Sequence, residues 1–494
     1  MKKIFIKGFA GLALSMSMVS CGDSFLETDI FNGVDLDSGL QSATTVGYAL
    51  NGTYYRLFYY YFAGNYATVI GDIASDITYW NQDTNHFNAL YTFTYDDTNS
   101  YLEAIWNYGY KVIDNSARII QACENLLPEA NGNDEIYLKL YEAEARCLRA
   151  YASQALVNIF CHQVKVNGQD YSSQPGIVVV DKPIEAYAEV ERGTIGETYA
   201  QITGDLQKAI SLYEEIGGDQ EYLYYFGEAS AYGLLARANM YLENWNAAAS
   251  AAESAIAISG IDELAYTAAE YKALYNNNYS NWESMFALAI TSSDNWSANS
   301  CGTLFTTYGY SESPYLLSLY GEDDCRLSIM TFNQAAGDPF SSAGRFNGGK
   351  FGYYGGSNPA YATNYLVNAP EMYLIMAEAY ANLGQISDAQ DVLYVVAHRN
   401  PAIGEPTDLP STKDSILSFL RDERARELFQ EGFRLWDLRR WGVTCSLNAY
   451  DGPNITFQIK NVNVSDLVFP IPAAEVNAGF GVTQNQGWAS TRPQ

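Results

Sequence analysis

Three histidines, His86, His162 and His398, are the first residues to test for catalysis in this chain of 494 residues. None stands in an H-E-x-x-H pair, and none has the neighbours of a readable nucleophile–base–acid triad. No G-x-S-x-G elbow occurs either. Gly344–Lys350, GRFNGGK, matches G-x-x-x-x-G-K, but Phe351 stands where a phosphate-binding loop needs the Ser or Thr that holds magnesium. Asp35-Leu36-Asp37-Ser38-Gly39 places its glycine one residue too early for an EF-hand. There is no C-x-x-C, so zinc-knuckle and thioredoxin-like chemistry lack their ligands. A glycosidase needs two carboxylates at a set distance in space, which 57 Asp+Glu leave undecided by spacing alone. A surface glycosidase therefore stays as an alternative. No catalytic residue, cofactor or metal site is expected.

Binding is the chemistry that remains. Neutral sugars are gripped by aromatic faces against their C–H surfaces and by Asn, Asp, Gln and Arg at their hydroxyls. Aromatics make up 14% of the chain, with 41 tyrosines and 8 tryptophans. Most belong in a core, so pattern must sort them. Trp106 lies on a helical stripe, Trp245 in a turn between two helices, and Trp282 on the inward parity of a strand. Trp436, Trp441 and Trp488 fall in two C-terminal stretches described below. Trp80 and Trp296 are left, in the polar, loop-like contexts Tyr79-Trp80-Asn81-Gln82-Asp83 and Ser293-Asp294-Asn295-Trp296-Ser297. An exposed tryptophan flanked by amide and acid side chains suits a sugar platform. The expected ligand-binding residues are Trp80, Tyr79, Asn81, Trp296 and Asn295, with Tyr308 and Tyr310 as lesser candidates.

The elements that must hold these residues are mostly helical. Residues 45–259 carry one amphipathic pattern after another: Thr44–Tyr61, a stripe from Leu102 to Ile113, Asp134–Val164 and Ile195–Ile216. In Ser230–Ser259, Leu235-Ala236, Ala248, Ala252 and Ala255 take the spacing of tetratricopeptide (TPR) helix pairs. The offsets recur at Met376-Ala377, Tyr380, Gly384, Ala389, Leu393 and Val396. Small residues at those places let two antiparallel helices approach closely. Between the copies, residues 260–369 form a Gly-, Ser-, Asn- and Tyr-rich insertion, with one expected strand in Asn281–Ile290 and a Gly-rich loop at Gly344–Gly356. Loops on a rigid helical scaffold are where binding sites usually lie. The fold class is thus mostly α, with TPR-like helical pairs and a loop-rich, partly β insertion. Residues 370–494 close the chain.

The N-terminus reads as targeting. Lys2, Lys3 and Lys7 precede a short apolar run, Phe9–Val19, too short to span a bilayer. Met18-Val19-Ser20-Cys21 resembles a lipobox, with Met18 in place of the usual Leu. Residues 1–20 are then a lipoprotein signal peptide, Cys21 the lipidated residue, and residues 21–44 a tether whose Asp23, Glu27 and Asp29 resemble a surface-export signal. No later stretch approaches 18 continuous apolar residues, so the mature chain is expected to be anchored and not to span. The net charge of −29 argues against nucleic acid, whose phosphates need a positive face. Cys147 and Cys161 share one expected helix and stand about 21 Å apart, too far to bridge. For Cys301 and Cys325, in loop-like sequence, a disulfide and two free buried thiols are both open.

One stretch departs from the acidic character of the rest. Arg421–Gly442, RDERARELFQEGFRLWDLRRWG, sets six arginines against five acids. Ile416, Leu417, Leu420, Arg424, Leu428 and Phe429 share a helical face, Asp422 and Arg426 have the favourable i,i+4 order, and Ser411–Asp414 makes a start. On physics alone this is a long surface helix with a salt-bridge network, ending at Gly442. It also resembles the hallmark E-R-x-x-E-[LF]-x-x-E-G-x-R-x-x-D-L-x-R-W of the RagB/SusD family, through Glu423-Arg424, Glu427, Glu431-Gly432, Arg434, Asp437-Leu438 and Arg440-Trp441. Asn368–Gly384 and Val468–Trp488 resemble two further stretches of that family, in family order. The resemblance implies a SusD-like fold and a nutrient-binding lipoprotein of the outer membrane. Such a protein binds glycan outside the cell and passes it to a SusC-like TonB-dependent transporter. It also leaves open a peptide-binding import lipoprotein, since the family includes such members.

Overall fold

The computed structural model describes residues 39–333, 340, 344–445, 462–463 and 467–488. The expected signal peptide, Cys21 and most of the tether lie outside these residues. The longer helices are α1 (Ala43–Phe58), α2 (Tyr66–Ile73), α3 (Ser100–Leu126), α4 (Asn133–Phe160), α5 (Ile195–Ile216), α6 (Glu228–Tyr241), α7 (Trp245–Ser259), α8 (Ala369–Asn382), α9 (Ile386–Ala397), α10 (Lys413–Leu428) and α11 (Arg434–Arg440). Their starts are written locally. Ser42 accepts from Thr45 N, Asn99 from Tyr101 N and Leu102 N, and Thr194 with Glu197 forms a reciprocal box.

Most of the long helices pack on their sequence neighbours: α3 on α4, α4 on α5, α5 on α6, α6 on α7, and α8 on α9, while α1 packs on α3 and α4. Helix α8 also packs on α7 and α10, so the two helix pairs that the small-residue spacing marks become spatial neighbours across the insertion. Their contact positions Ala236, Ala248, Ala252, Ala255, Ala377, Ala389, Leu393 and Val396 are buried. The described residues from Ser42 onward form one compact unit.

The strands are short antiparallel pairs. β1 (Thr78–Trp80) pairs with β5 (Tyr310–Glu312), placing Trp80 opposite Tyr310. β2 (Lys165–Val166) forms a hairpin with β3 (Gln169–Asp170). β4 (Ser284–Ala287) pairs with β6 (Tyr365–Asn368), with all of its residues buried. The strand expected in Asn281–Ile290 is therefore present but shorter. Trp282, expected to point inward, lies before it and is 45% exposed.

The largest departure concerns Arg421–Gly442. The helix begins at the expected place, with Thr412 capping Ser415 N, but α10 ends at Leu428 and α11 starts at Arg434. Gln430 and Gly432 take φ of 69° and 80° between them. The break turns the amides of Gln430, Gly432 and Arg434 onto the buried Asp72 carboxylate, at 2.7, 3.1 and 3.2 Å. A Cβ on Gly432 would lie 1.9 Å from Thr68 O, so glycine is required there. The segment is not a surface helix: Glu423, Arg424, Arg426, Glu427, Arg434, Asp437, Arg439 and Arg440 are all buried. The expected Asp422–Arg426 pair gives way to Arg426 with Glu423. Buried charges persist when paired or hydrogen-bonded: seven of these eight have an opposite charge beside them, and Arg439 donates to the Asn158 and Cys161 carbonyls. Arg326 meets Asp324, Glu423 and Glu427; Arg399 meets Glu283 and Glu427; Arg424 and Arg440 share Asp437; Arg434 meets Asp76. The network ties the insertion, helix α10 and the turn after α2 into one body.

Candidate functional site

Chain direction changes sharply after α1. Tyr59, Tyr60 and Tyr61 follow its last turn, and the amides of Phe62 and Gly64 fold back to Tyr59 O at 2.8 and 3.2 Å. This turn displays three consecutive tyrosines, all half-buried. Gly64 closes it: a Cβ there would lie 2.2 Å from Phe58 O and 2.9 Å from Trp296 Nε1. That clearance lets Trp296 approach from the insertion and donate its Nε1 to Phe58 O at 2.8 Å. Asn295 shapes the loop behind it, donating to Thr291 O and Ser292 O and accepting from Ser297 N.

The result is a continuous aromatic face. The Trp296 ring lies 4.5 Å from Tyr59, 4.9 Å from Phe58, 5.5 Å from Tyr60 and 6.0 Å from Tyr55. Tyr59 stacks on Tyr108 of α3 at 4.7 Å, and Tyr61 meets Tyr108 at 5.1 Å. Lys111 Nζ sits 4.2 Å over the Tyr108 ring. The array continues through Tyr66 to Phe87 and Tyr101. On the other side of Tyr55, a cavity of about 170 Å³ is lined by Tyr54, Tyr224, Tyr225, Phe286, Asn51 and Asp294, among others. Burial raises the phenols of Tyr60, Tyr66 and Tyr108 above their ordinary value, so they stay protonated at neutral pH and keep both donor and acceptor capacity. Rings that keep an accessible edge or face, beside hydroxyl, amide and carboxylate groups, can bind an amphipathic, hydroxyl-rich ligand without bond chemistry.

The residues singled out by sequence divide. Trp296 and Asn295 belong to this face. Trp80 does not present itself as an exposed platform: strand pairing to β5 leaves it 8% exposed, with Nε1 donating to Thr84 O at 2.9 Å. Tyr79, Asn81 and Tyr310 are 1%, 3% and 0% exposed. Asn81 Nδ2 donates to Gly344 O, and Tyr310 Oη to His86 O at 2.6 Å. Together with the Thr84 hydroxyl, which donates to Tyr308 O, they hold the loop that carries His86 and Phe87. Tyr308 is half-buried and stacks on His86, 3.9 Å apart at 12°. The β1–β5 residues thus support a loop at the border of the aromatic face. The sequence reading missed Tyr59, Tyr60, Tyr61 and Tyr108. Its available signal was the run Tyr54–Phe62, in which seven of nine residues are aromatic, too dense for a single core-facing stripe.

The SusD family model matches residues 369–488, and a model described as starch-binding, associating with outer membrane, matches residues 35–242; between them they cover more than half of the chain. The chain belongs to the SusD/RagB family. Its fold is that of solved SusD superfamily proteins. One from Bacteroides thetaiotaomicron is 22% identical, with TM-score 0.78, over 90% of this chain and 99% of its own. One from Bacteroides vulgatus is 22% identical, with TM-score 0.77, over 91% and 99%. A SusD-like carbohydrate-binding protein from Bacteroides vulgatus is 20% identical, with TM-score 0.71, over 92% and 98%. No curated protein matches the chain. In this SusD/RagB member the hallmark residues form the buried ionic network, so they hold the fold that carries the aromatic face and do not line that face.

Proposed function

We propose that this protein is a lipid-anchored glycan-binding protein of the cell surface, which captures an oligo- or polysaccharide and delivers it to a SusC-like TonB-dependent transporter. The observation that carries the reading is the aromatic face built from Tyr59, Tyr60, Tyr61, Tyr108 and Trp296, since stacked rings with polar edges suit pyranose faces. The starch-binding description of one matching family model and the carbohydrate-binding description of one structural neighbour support the same chemistry. Cys21 is the proposed lipid anchor, consistent with no described helix being long and apolar enough to cross a membrane. In this reading residues 45–259 and 370–494 are the scaffold, and residues 260–369 contribute the loop of Trp296. The protein binds and hands over; it makes and breaks no bond.

The test is binding of the protein lacking residues 1–21 to a panel of plant, host and microbial glycans, beside the Tyr59→Ala/Trp296→Ala variant. Binding to one polysaccharide that falls at least about tenfold in the variant, a loss of about 1.4 kcal/mol, supports the reading. Binding that ignores the variant moves the site elsewhere. Peptide binding without glycan binding, or oligosaccharide turnover, replaces the reading.

A further inference from the structure

A second cavity, of about 250 Å³, lies away from the aromatic face. Its walls come from the β2–β3 turn, the α6–α7 turn, helices α8 and α10, and the end of α11, through residues that include Asn167, Glu243, Trp245, Asn382, Arg421 and Trp441. None of the residues named for the aromatic face lines it.

The charges in this cavity are unevenly used. Glu378 is fully engaged, by both Arg440 terminal nitrogens and by Trp441 Nε1. Glu243 spends one oxygen on Gly168 N at 3.0 Å. Arg424 and Arg426, on the same helix as Arg421, are both paired with carboxylates. Arg421 is not. Among the described residues its guanidinium makes no hydrogen bond or ion pair, and packs 5.1 Å over the Trp441 ring. It is half-buried, in a chain with 57 acids against 28 bases. Burial lowers its pKa and Arg440 and Arg434 add to that, against the raising effect of Glu378 and Asp437, two carboxylates already engaged by other arginines. A guanidinium held by a ring face keeps its planar donor fork aligned for a carboxylate.

We propose that this cavity is a second ligand site, for a single uronic-acid residue, with its carboxylate on Arg421. The hydroxyl-bearing ring is favoured over a bare anion by the rest of the lining. Trp245 supplies an indole surface, Asn167 and Asn382 supply amides, and the free Glu243 oxygen accepts from a hydroxyl. The volume suits one ring, in contrast to the open face around Trp296. The site does not depend on the glycan reading of that face.

The experiment is saturation-transfer NMR and titration of the protein lacking residues 1–21 with glucuronate and galacturonate. Glucose and galactose serve as neutral controls and glutamate as a carboxylate without the ring. Uronate binding at least tenfold tighter than the neutral sugars is expected. Arg421→Gln should remove that preference while leaving the melting temperature unchanged, Trp245→Ala should weaken binding, and Tyr59→Ala/Trp296→Ala should leave it intact. Uronates binding no better than glucose, binding insensitive to both Arg421→Gln and Trp245→Ala, or glutamate binding as tightly as the uronates would overturn the proposal.

Discussion

The aromatic face and the hallmark segment invert the usual division between surface and core. Around α10 and α11, eight charged side chains are buried. Around Trp296, five large rings remain partly open to solvent, in a cluster whose neighbours are other rings. The charges are inside because nearly all of them have an opposite charge beside them, mostly from another element, and removing a partner strands the other. The rings are partly outside, and an aromatic patch left uncovered by the fold is what the proposed ligand would cover. Sequence hallmarks and the proposed ligand face are thus separate features here: one holds the scaffold, the other meets the outside.

The sharpest way to break this contrast is at Arg326, which is 0% exposed and faces three carboxylates. Arg326→Met leaves Asp324, Glu423 and Glu427 with less compensation, and unfolding free energy should drop by about 3–5 kcal/mol in urea titration. A drop below about 1 kcal/mol would mean that the network contributes little.

A tryptophan pair tests the other side. Trp80→Ala removes a buried ring and should cost about 3–5 kcal/mol of stability. Trp296→Ala should cost less, about 1–2 kcal/mol, because the ring is only half-buried, and should act mainly on glycan affinity. Equal stability losses, measured in the same titration, would erase the distinction between supporting and contacting tryptophans.

A pH effect is expected from a buried acid behind the cavity beside Tyr55. Glu144 is fully buried, hydrogen-bonded by Tyr54, a wall of the cavity beside Tyr55, and by Gln220. Burial pushes its carboxyl up to about 8 from an ordinary 4.5, against the lowering effect of those two bonds. The folded state then keeps a proton that the unfolded chain releases. The stability from this group is full below pH 4.5 and is lost as pH rises through about 8. Glu144→Gln should flatten the decline between pH 5 and pH 8 by on the order of 2 kcal/mol. An unchanged slope would mean that Glu144 is ionised throughout.

The smallest effect is expected from reductant. Cys123, Cys147, Cys161, Cys301 and Cys325 are free and buried, which resolves the open pairing of Cys301 and Cys325 in favour of thiols. Burial pushes Cys161 up to about 11 and Cys301 and Cys325 to about 12, so they are poor nucleophiles. Dithiothreitol should move the melting temperature by less than about 1 °C, where loss of a disulfide would cost about 2–4 kcal/mol. A thiol reagent should react with these five only on unfolding.

The sequence by itself determined what depends on neighbours within a few turns. Ile195–Ile216 was legible to the residue because a Thr194–Glu197 box opens it and Gly217, at φ 71°, closes it. The small residues of α6–α7 and α8–α9 marked both helix pairs, and the spaced Arg, Glu and Trp of residues 423–441 marked the family. Only the tertiary structure decided what depends on partners far along the chain. Trp80 and Trp296 have near-identical local surroundings, yet pairing with β5 buries one and the clearance at Gly64 leaves the other on the surface. The hallmark charges read as solvated because helical periodicity shows which residues share a face but not what covers it; Asp72, Asp76, Glu283, Arg326, Glu378 and Arg399, all distant in sequence, cover it. Burial is a property of the assembled body, and a one-dimensional pattern carries it only where local spacing and long-range packing agree.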